Sequence, residues 1–185
     1  WQVNTGSGFT NITNGGVYSN ATTATLNITG AVSAMNNYTY RCVVGGTCSP
    51  TVTSNSVLLT VRTLPSVTTS PSNVTLCAGA TATFTVVAVG TGITYQWQQD
   101  AGSGFVNLTN GSGYFNVATP TLSITPTIAA MNGYQYRCVV SGTCTPSVTS
   151  TAATLTVNTA PALSIPPFPN QIICVGGNTS FSVLI

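Results

Sequence analysis

The chain has no histidine, no lysine and no glutamate. Its acidic side chains number 1, Asp100, and its basic side chains 3, namely Arg41, Arg62 and Arg137. Charged residues are thus 2% of 185, against roughly a quarter in an ordinary globular domain. Each absence excludes a chemistry. One carboxylate cannot form an acid–base pair within the chain. Without histidine or lysine, Ser-His-Asp, Cys-His and Schiff-base schemes lack a base or a nucleophile. Zinc sites built with histidine and calcium cages of carboxylates are excluded on the same ground. Three cations cannot neutralise a run of phosphates, so no nucleic-acid interface is expected. We expect no catalytic residue, no cofactor and no metal. No apolar run approaches the ~18 residues of a membrane-spanning helix. No charged n-region or apolar h-region follows Trp1, so no signal peptide is expected.

What remains is polar without charge. Threonine, serine and asparagine make up about a third of the chain, and 43% is hydrophobic. Plentiful β-branched and aromatic residues with little charge are the reverse of a disordered composition. Six cysteines in such a chain fit disulfides in an oxidising, extracellular setting. The other reading is free buried thiols acting as small hydrophobes.

Self-similarity organises the chain. Trp1-Gln2 recurs as Trp97-Gln98, and Gly6-Ser7-Gly8-Phe9 as Gly102-Ser103-Gly104-Phe105. Tyr38 to Val44 recurs as Tyr134 to Val140, and Gly46-Thr47-Cys48 as Gly142-Thr143-Cys144. All lie at a spacing of 96, at which 38 of the first 65 residues match without a gap. A third copy opens where Leu76-Cys77-Ala78-Gly79 reappears as Ile173-Cys174-Val175-Gly176, and Phe84 as Phe181, at a spacing of 97. Pro65 and Pro161 mark the joins. Residues 1–64 are the later part of one repeat, 65–160 a complete repeat, and 161–185 the opening strands of the next. The two partial pieces are complementary, though two repeats at these spacings would need 193 residues, eight more than are present. Either the chain is a window from a longer array, or the start of one chain completes the end of another by strand complementation.

The complete repeat alternates with a period of two. Ala82, Phe84 and Val86 fall on one face of a strand, as do Ile93, Tyr95 and Trp97 of the next. Leu122-Ser123-Ile124 and Thr154-Leu155-Thr156-Val157 continue the pattern, and Gly, Asn and Pro clusters punctuate it. Only Ile128 to Met131 hints at a helical turn. Several short strands in about 96 residues predict an all-β sandwich, repeated in tandem.

Tyr136-Arg137-Cys138, with Trp97 upstream, resembles the immunoglobulin fold. The resemblance implies that Tyr136 forms a tyrosine corner and that Cys138 packs on Trp97, with Tyr40 and Trp1 equivalent in the first copy. Val86 stands where the partner of Cys138 should be, so the usual inter-sheet disulfide cannot form. Four stretches sharpen the resemblance: Cys77 and Gly79, Ala82 to Phe84, Tyr95 to Gln98, and Asn132 to Cys138. They resemble the tandem immunoglobulin-like repeats of very large secreted proteins of Bacteroidota bacteria. That implies a cell-surface adhesin, a gliding-type filament or a spacer in a secreted enzyme, often exported by the type IX secretion route.

Three cysteines per repeat leave two pairing schemes open. In the local one, Cys138 bonds Cys144 and Cys42 bonds Cys48. In the other, Cys144 of one sandwich meets the cysteine before strand B, Cys77 or Cys174, of a neighbouring repeat. The sandwich separates those two positions by more than disulfide reach within one domain. Arg41 and Arg137 are expected to lay their stems over an aromatic ring. Tyr18, Tyr114 and Phe115 lie in a Gly- and Asn-rich stretch and are the candidate ligand-contact aromatics, stacking on sugars. Asn-x-Ser/Thr triplets are frequent but arise by chance in so Asn- and Thr-rich a chain. With no lysine to protect its edges, the Ser147–Val157 stretch is expected to be open to lateral pairing.

These readings predict a non-catalytic structural segment of a bacterial extracellular filament or giant adhesin. Its partners would be copies of itself or neighbouring repeats, and surface glycans. The alternative is a carbohydrate-binding or spacer module of a secreted enzyme.

Overall fold

The computed structural model describes residues 1–162 and 172–180. The chain is all-β, with short 3-10 turns at Ser33–Met35 and Ala129–Met131. Among the described residues, no helix is long and apolar enough to cross a membrane. Two compact units form: one from Trp1–Ser66, Ala88–Ile93 and Ser141–Val148, the other from Val67–Val87, Thr94–Val140 and Thr149–Ile185.

The first unit holds β1 (Gln2–Asn4), β2 (Phe9–Asn11), β3 (Tyr18–Ser19), β4 (Asn27–Ile28), β5 (Thr39–Arg41), β6 (Val43–Val44), β7 (Val52–Thr53) and β8 (Val57–Leu58). One sheet has the order β2-β1-β5-β8, while β3 pairs only with β4. Val3, Ile12, Ala21 and Tyr40 are buried, with Trp1, Leu26, Ile28 and Leu59 packed half-buried against them. Thr91 ties the 61–65 stretch into this unit. Its N donates to Thr63 O at 3.2 Å, and its carbonyl accepts from Thr143 N at 3.0 Å and from Thr143 Oγ1 at 2.7 Å. Beside it Gly90 sits at φ +147, where a Cβ would meet the Pro65 Cα at 2.9 Å. Glycine is the residue that fits.

The second unit is a two-layer sandwich, preceded by β9 (Ser66–Thr69). Its strands are β10 (Val74–Cys77), β11 (Ala82–Thr85), β13 (Thr94–Asp100), β14 (Phe105–Asn107), β15 (Tyr114–Phe115), β16 (Thr121–Ile124), β17 (Gln135–Ser141, all but Ser141) and β19 (Ala153–Asn158), while β12 (Val87–Val89) and β18 (Val148–Thr149) have residues in both units. One layer runs β10-β19-β17-β13-β14 and the other β11-β16-β15. The period-two alternation decides what faces inward. Ala82, Phe84 and Val86, then Leu122 and Ile124, then Tyr136, Cys138 and Val140, then Ala153, Leu155 and Val157 are all buried. Asn116, like its equivalent Asn20, turns the chain at φ 62, a left-handed position that asparagine tolerates better than most residues.

One sequence expectation changes here. The β19 part of the Ser147–Val157 stretch is not an open edge. β19 pairs parallel with β10, Leu155 opposite Val74, and antiparallel with β17 on its other side. The short β10 lies far upstream in sequence, so nothing local to β19 announces that cover. The opening strands expected within 161–185 fall mostly outside the described residues. Residues 172–180 form no strand and turn at Val175-Gly176, while Phe181 and its neighbours lie outside the described residues.

Candidate functional site

The signature residues form the centre of the second unit. Trp97 and Tyr136 are fully buried, with Phe84 between them at ring separations of 6.5 Å and 4.9 Å. Trp97 Nε1 donates to Thr119 O at 2.9 Å. In the first unit Trp1 Nε1 donates to the equivalent Thr23 O at the same 2.9 Å, yet Trp1 is only half-buried. Val86 and Cys138 are both buried.

All six cysteines are unpaired. Alternation along β17 turns Cys138 into the core, where its Sγ reaches the neighbouring Val139 carbonyl at 3.7 Å. Burial pushes this thiol up to about 11, offset in small part by a backbone hydrogen bond from Gln96. It is therefore neutral and a poor nucleophile near neutral pH. Cys48, Cys77 and Cys174 are exposed, and Cys42 and Cys144 half-buried. Among the described residues no group of three His, Cys, Asp or Glu is placed to hold a metal ion.

The tyrosine corner is also altered. Tyr136 Oη is buried with no hydrogen-bond partner, and Asn132 Oδ1 instead accepts from Val157 N at 3.0 Å. Tyr18 and Tyr114 are not exposed loop aromatics. Both lie on strands and are half-buried. The Tyr18 ring meets Tyr40 edge-on at 6.2 Å, and the Tyr114 ring lies 6.4 Å from Tyr136. Only Phe115 of the three keeps a largely free face, at 47% exposure. The cause is the pleat: adjacent residues of β15 point to opposite sides.

Arg41, Arg137 and Asp100 make contacts within their own domains, while Arg62 is exposed. Arg137 stacks its guanidinium 3.8 Å over the Phe105 ring and donates from Nε to Gln98 Oε1 at 2.8 Å. Gln98 Nε2 in turn donates to Asn107 Oδ1 at 2.8 Å. The first copy repeats this three-strand ladder with Arg41 over Phe9 at 3.9 Å, and with Gln2 and Asn11. The sequence predicts the arginines laid over rings, and the structure adds the Gln–Asn rungs. The recurrence of Gln2, Phe9 and Asn11 at the 96 spacing was the signal for them. Asp100 Oδ1 accepts from Gly102 N at 2.7 Å and Gly104 N at 2.9 Å. Asn4 does the same for Gly6 and Gly8. The position requires an acceptor oxygen rather than a charge. Asp100→Asn should therefore stay within about 0.5 kcal/mol of the parent. Asp100→Ala, losing both bonds, should cost about 1 kcal/mol in urea unfolding. Equal damage from both would show that the charge itself is used.

The two copies differ most in what covers them. Val44 is 62% exposed where its equivalent Val140 is 0%, and Val57 is 61% where Ala153 is 1%. Leu26, Ile28 and Leu59 are half-buried where Leu122, Ile124 and Leu155 are wholly buried. A groove of about 220 Å³ follows, lined by Trp1, Leu26, Ile28, Tyr40, Leu58 and Leu59. A second hollow of about 340 Å³ lies beside Trp1, Ala24, Cys42 and Val44.

No protein-family model matches the chain, and no curated protein does. Solved structures do. A three-domain immunoglobulin segment of titin, I67-I69 in an E-to-A variant, superposes with a TM-score of 0.52 at 20% identity, over 72% of this chain and 44% of that one. Sidekick-1 immunoglobulin domains 1-5 give 0.48 at 18% identity, over 86% of this chain and 33% of that one. The chain spans less than half the length of either. A chimeric titin Z1Z2 carrying a decorin peptide gives 0.44 at 24% identity, over 54% of this chain and 99% of that one. The titin I67-I69 likeness and the strand order agree on the fold: an immunoglobulin-like β-sandwich.

Proposed function

We propose that the chain is a non-catalytic structural segment of a bacterial extracellular filament or giant surface adhesin, built from tandem immunoglobulin-like repeats. One observation carries the reading. Asp100, Arg41 and Arg137 are held by contacts inside their own domains, which leaves Thr-, Ser- and Asn-rich β surface as the material of contact. Such a surface suits association through backbone and hydroxyl groups with copies of itself or neighbouring repeats. The Bacteroidota setting and type IX export rest on the sequence resemblance. The exposed thiols of Cys77 and Cys174 are available to link neighbouring repeats covalently. The inward turn of Tyr18 and Tyr114 removes most of the sugar-stacking platform that a carbohydrate-binding module would need. Antibodies raised against this segment should decorate beaded filaments on intact cells in electron micrographs. Label confined to a soluble secreted enzyme would overturn the reading.

A further inference from the structure

Within the complete repeat, β11 pairs with β16 on one side only. Val86 N donates to Pro120 O at 2.9 Å, and the same register sets Phe84 opposite Leu122. Antiparallel bonds alternate along a strand, so the N–H and C=O groups of Thr83 and Thr85 point away from β16. Among the described residues nothing bonds them. The chain ahead explains the opening. β9 pairs with β12, β10 pairs with β19 in the other layer, and the crossing between β9 and β10 holds Pro71, which has no N–H to offer. Ser70 Oγ accepts from Thr151 N at 3.2 Å and Asn73 Oδ1 from Thr154 N at 2.8 Å, which pins the crossing to the other layer. A hollow of about 330 Å³ is left between the crossing and β11, with Asn73, Val74, Phe84 and Val87 in its lining. A second open edge is β14, which ends its sheet at the far side from β10. Leu108 N donates to Trp97 O at 2.9 Å and Val106 lies opposite Gln99, so the backbone groups of Phe105 and Asn107 point outward. Val106 is 61% exposed. Neither strand carries a charge or a proline, the usual guards of an edge.

We propose that these two edges pair between copies of the chain: β14 of one copy adds antiparallel to β11 of another, with Val106 opposite Phe84 and seated in the hollow. The assignment rests on the reading of the chain as a segment that meets copies of itself, and it names the contact. The phases of the two strands agree. Thr83 exchanges backbone bonds with Asn107, and Thr85 with Phe105, which are the groups each edge turns outward. Phe84 faces inward, so its cross-strand partner Val106 falls on the same face, where Phe84 and Val74 line the hollow. The backbone bonds contribute affinity, and the seating of Val106 contributes specificity. Each copy offers one edge of either kind, so the interface is heterologous and growth is open-ended.

The test uses the 185-residue chain in solution, read by light scattering behind size exclusion. The weight-average mass should climb from 18.8 kDa to at least twice that as concentration rises. Hydrogen exchange at the amides of Thr83, Thr85, Phe105 and Asn107 should slow by about tenfold once about nine-tenths of the chain is assembled. Val106→Asp places a charge on the donor at an exposed position and leaves β11 intact. Thr83→Pro removes one outward N–H from the acceptor, a change that edge strands tolerate, and leaves β14 intact. Each variant alone should stay monomeric, and their equimolar mixture should form a dimer and grow no further. A mixture that stays monomeric, or single variants that assemble as the parent does, overturns the pairing of these edges and leaves the self-association reading standing. Should Thr83→Pro not fold, the four amides decide in the Val106→Asp chain, where slower exchange at high concentration overturns the proposal. A parent chain that stays monomeric at every concentration overturns it as well, while the reading of repeats joined in one polypeptide still stands on the filament labelling.

Discussion

Replacing Trp97 with alanine is expected to cost the second unit about 3–5 kcal/mol. A domain of this size has about 5–15 kcal/mol in all, so much of the unit's stability is at stake. The indole is wholly buried and lies against Phe84. Its removal leaves a cavity that the flanking strands, held by ladder bonds, can only partly close. It also strands the Thr119 carbonyl, which the indole nitrogen satisfies. The equivalent change at Trp1 should cost far less, about 1–2 kcal/mol. Trp1 is half-buried and Thr23 O can turn to water. Hydrogen exchange at the amides of Phe84 and Tyr136, for Trp97→Ala, and of Tyr40, for Trp1→Ala, measures each unit separately. Equal losses of protection in the two units would mean that the first unit's core is as closed as the second's.

Tyr136→Phe is expected to act in the opposite direction, stabilising the second unit by about 1–2 kcal/mol. The Tyr136 hydroxyl is buried and makes no hydrogen bond of good geometry; burial first, and then the neighbouring Tyr114 hydroxyl, raise its pKa well above the ordinary tyrosine value. Phenylalanine removes the stranded group and keeps the ring that packs on Phe84. The same change in the first copy should destabilise by about 1 kcal/mol, because Tyr40 Oη shares a 3.1 Å hydrogen bond with Tyr18 Oη. The opposite signs have a local cause. Tyr114 Oη donates to Gln99 Oε1, while the residue equivalent to Gln99 is Val3, which offers no acceptor. Tyr18 Oη therefore pairs with Tyr40 Oη, whereas Tyr114 Oη gives its proton to Gln99 and lies beside Tyr136 without a well-formed bond to it. Gln99→Val should free Tyr114 for Tyr136, after which Tyr136→Phe no longer stabilises. Urea midpoints of the single and double variants check the cycle.

The Tyr136 example also marks where sequence reading stops. The 96-residue recurrence and the alternation at Ala82, Phe84 and Val86 identified the sandwich and its central Trp97, because burial follows directly from the pleat. The tyrosine corner forms in neither copy: Tyr40 Oη pairs with Tyr18 Oη and Tyr136 Oη finds no backbone partner, and neither outcome is set by residues near the tyrosine in sequence. Tyr18 and Tyr114 looked exposed because glycine and asparagine surround them, yet the strand phase of two residues turned them inward. The supposed open edge at 147–157 failed for a related reason. β10, its cover, is separated from it by most of the repeat, and parallel pairing leaves no hairpin signature between the partners. The inward direction of Cys138 was legible from the Tyr-x-Cys phase and the Trp97 upstream, and the structure buries both.

The interchange of Asp100 and Asn4 in the same turn has a consequence for the medium the protein can occupy. The lone carboxylate does a job that a neutral amide does equally well, so it takes part in no ionic bond that salt can loosen. Between dilute buffer and brine the Debye length shrinks from about 30 Å to about 3 Å, and it finds almost nothing here to screen. Contacts made by this surface, with whatever it meets, should hold nearly the same strength in both.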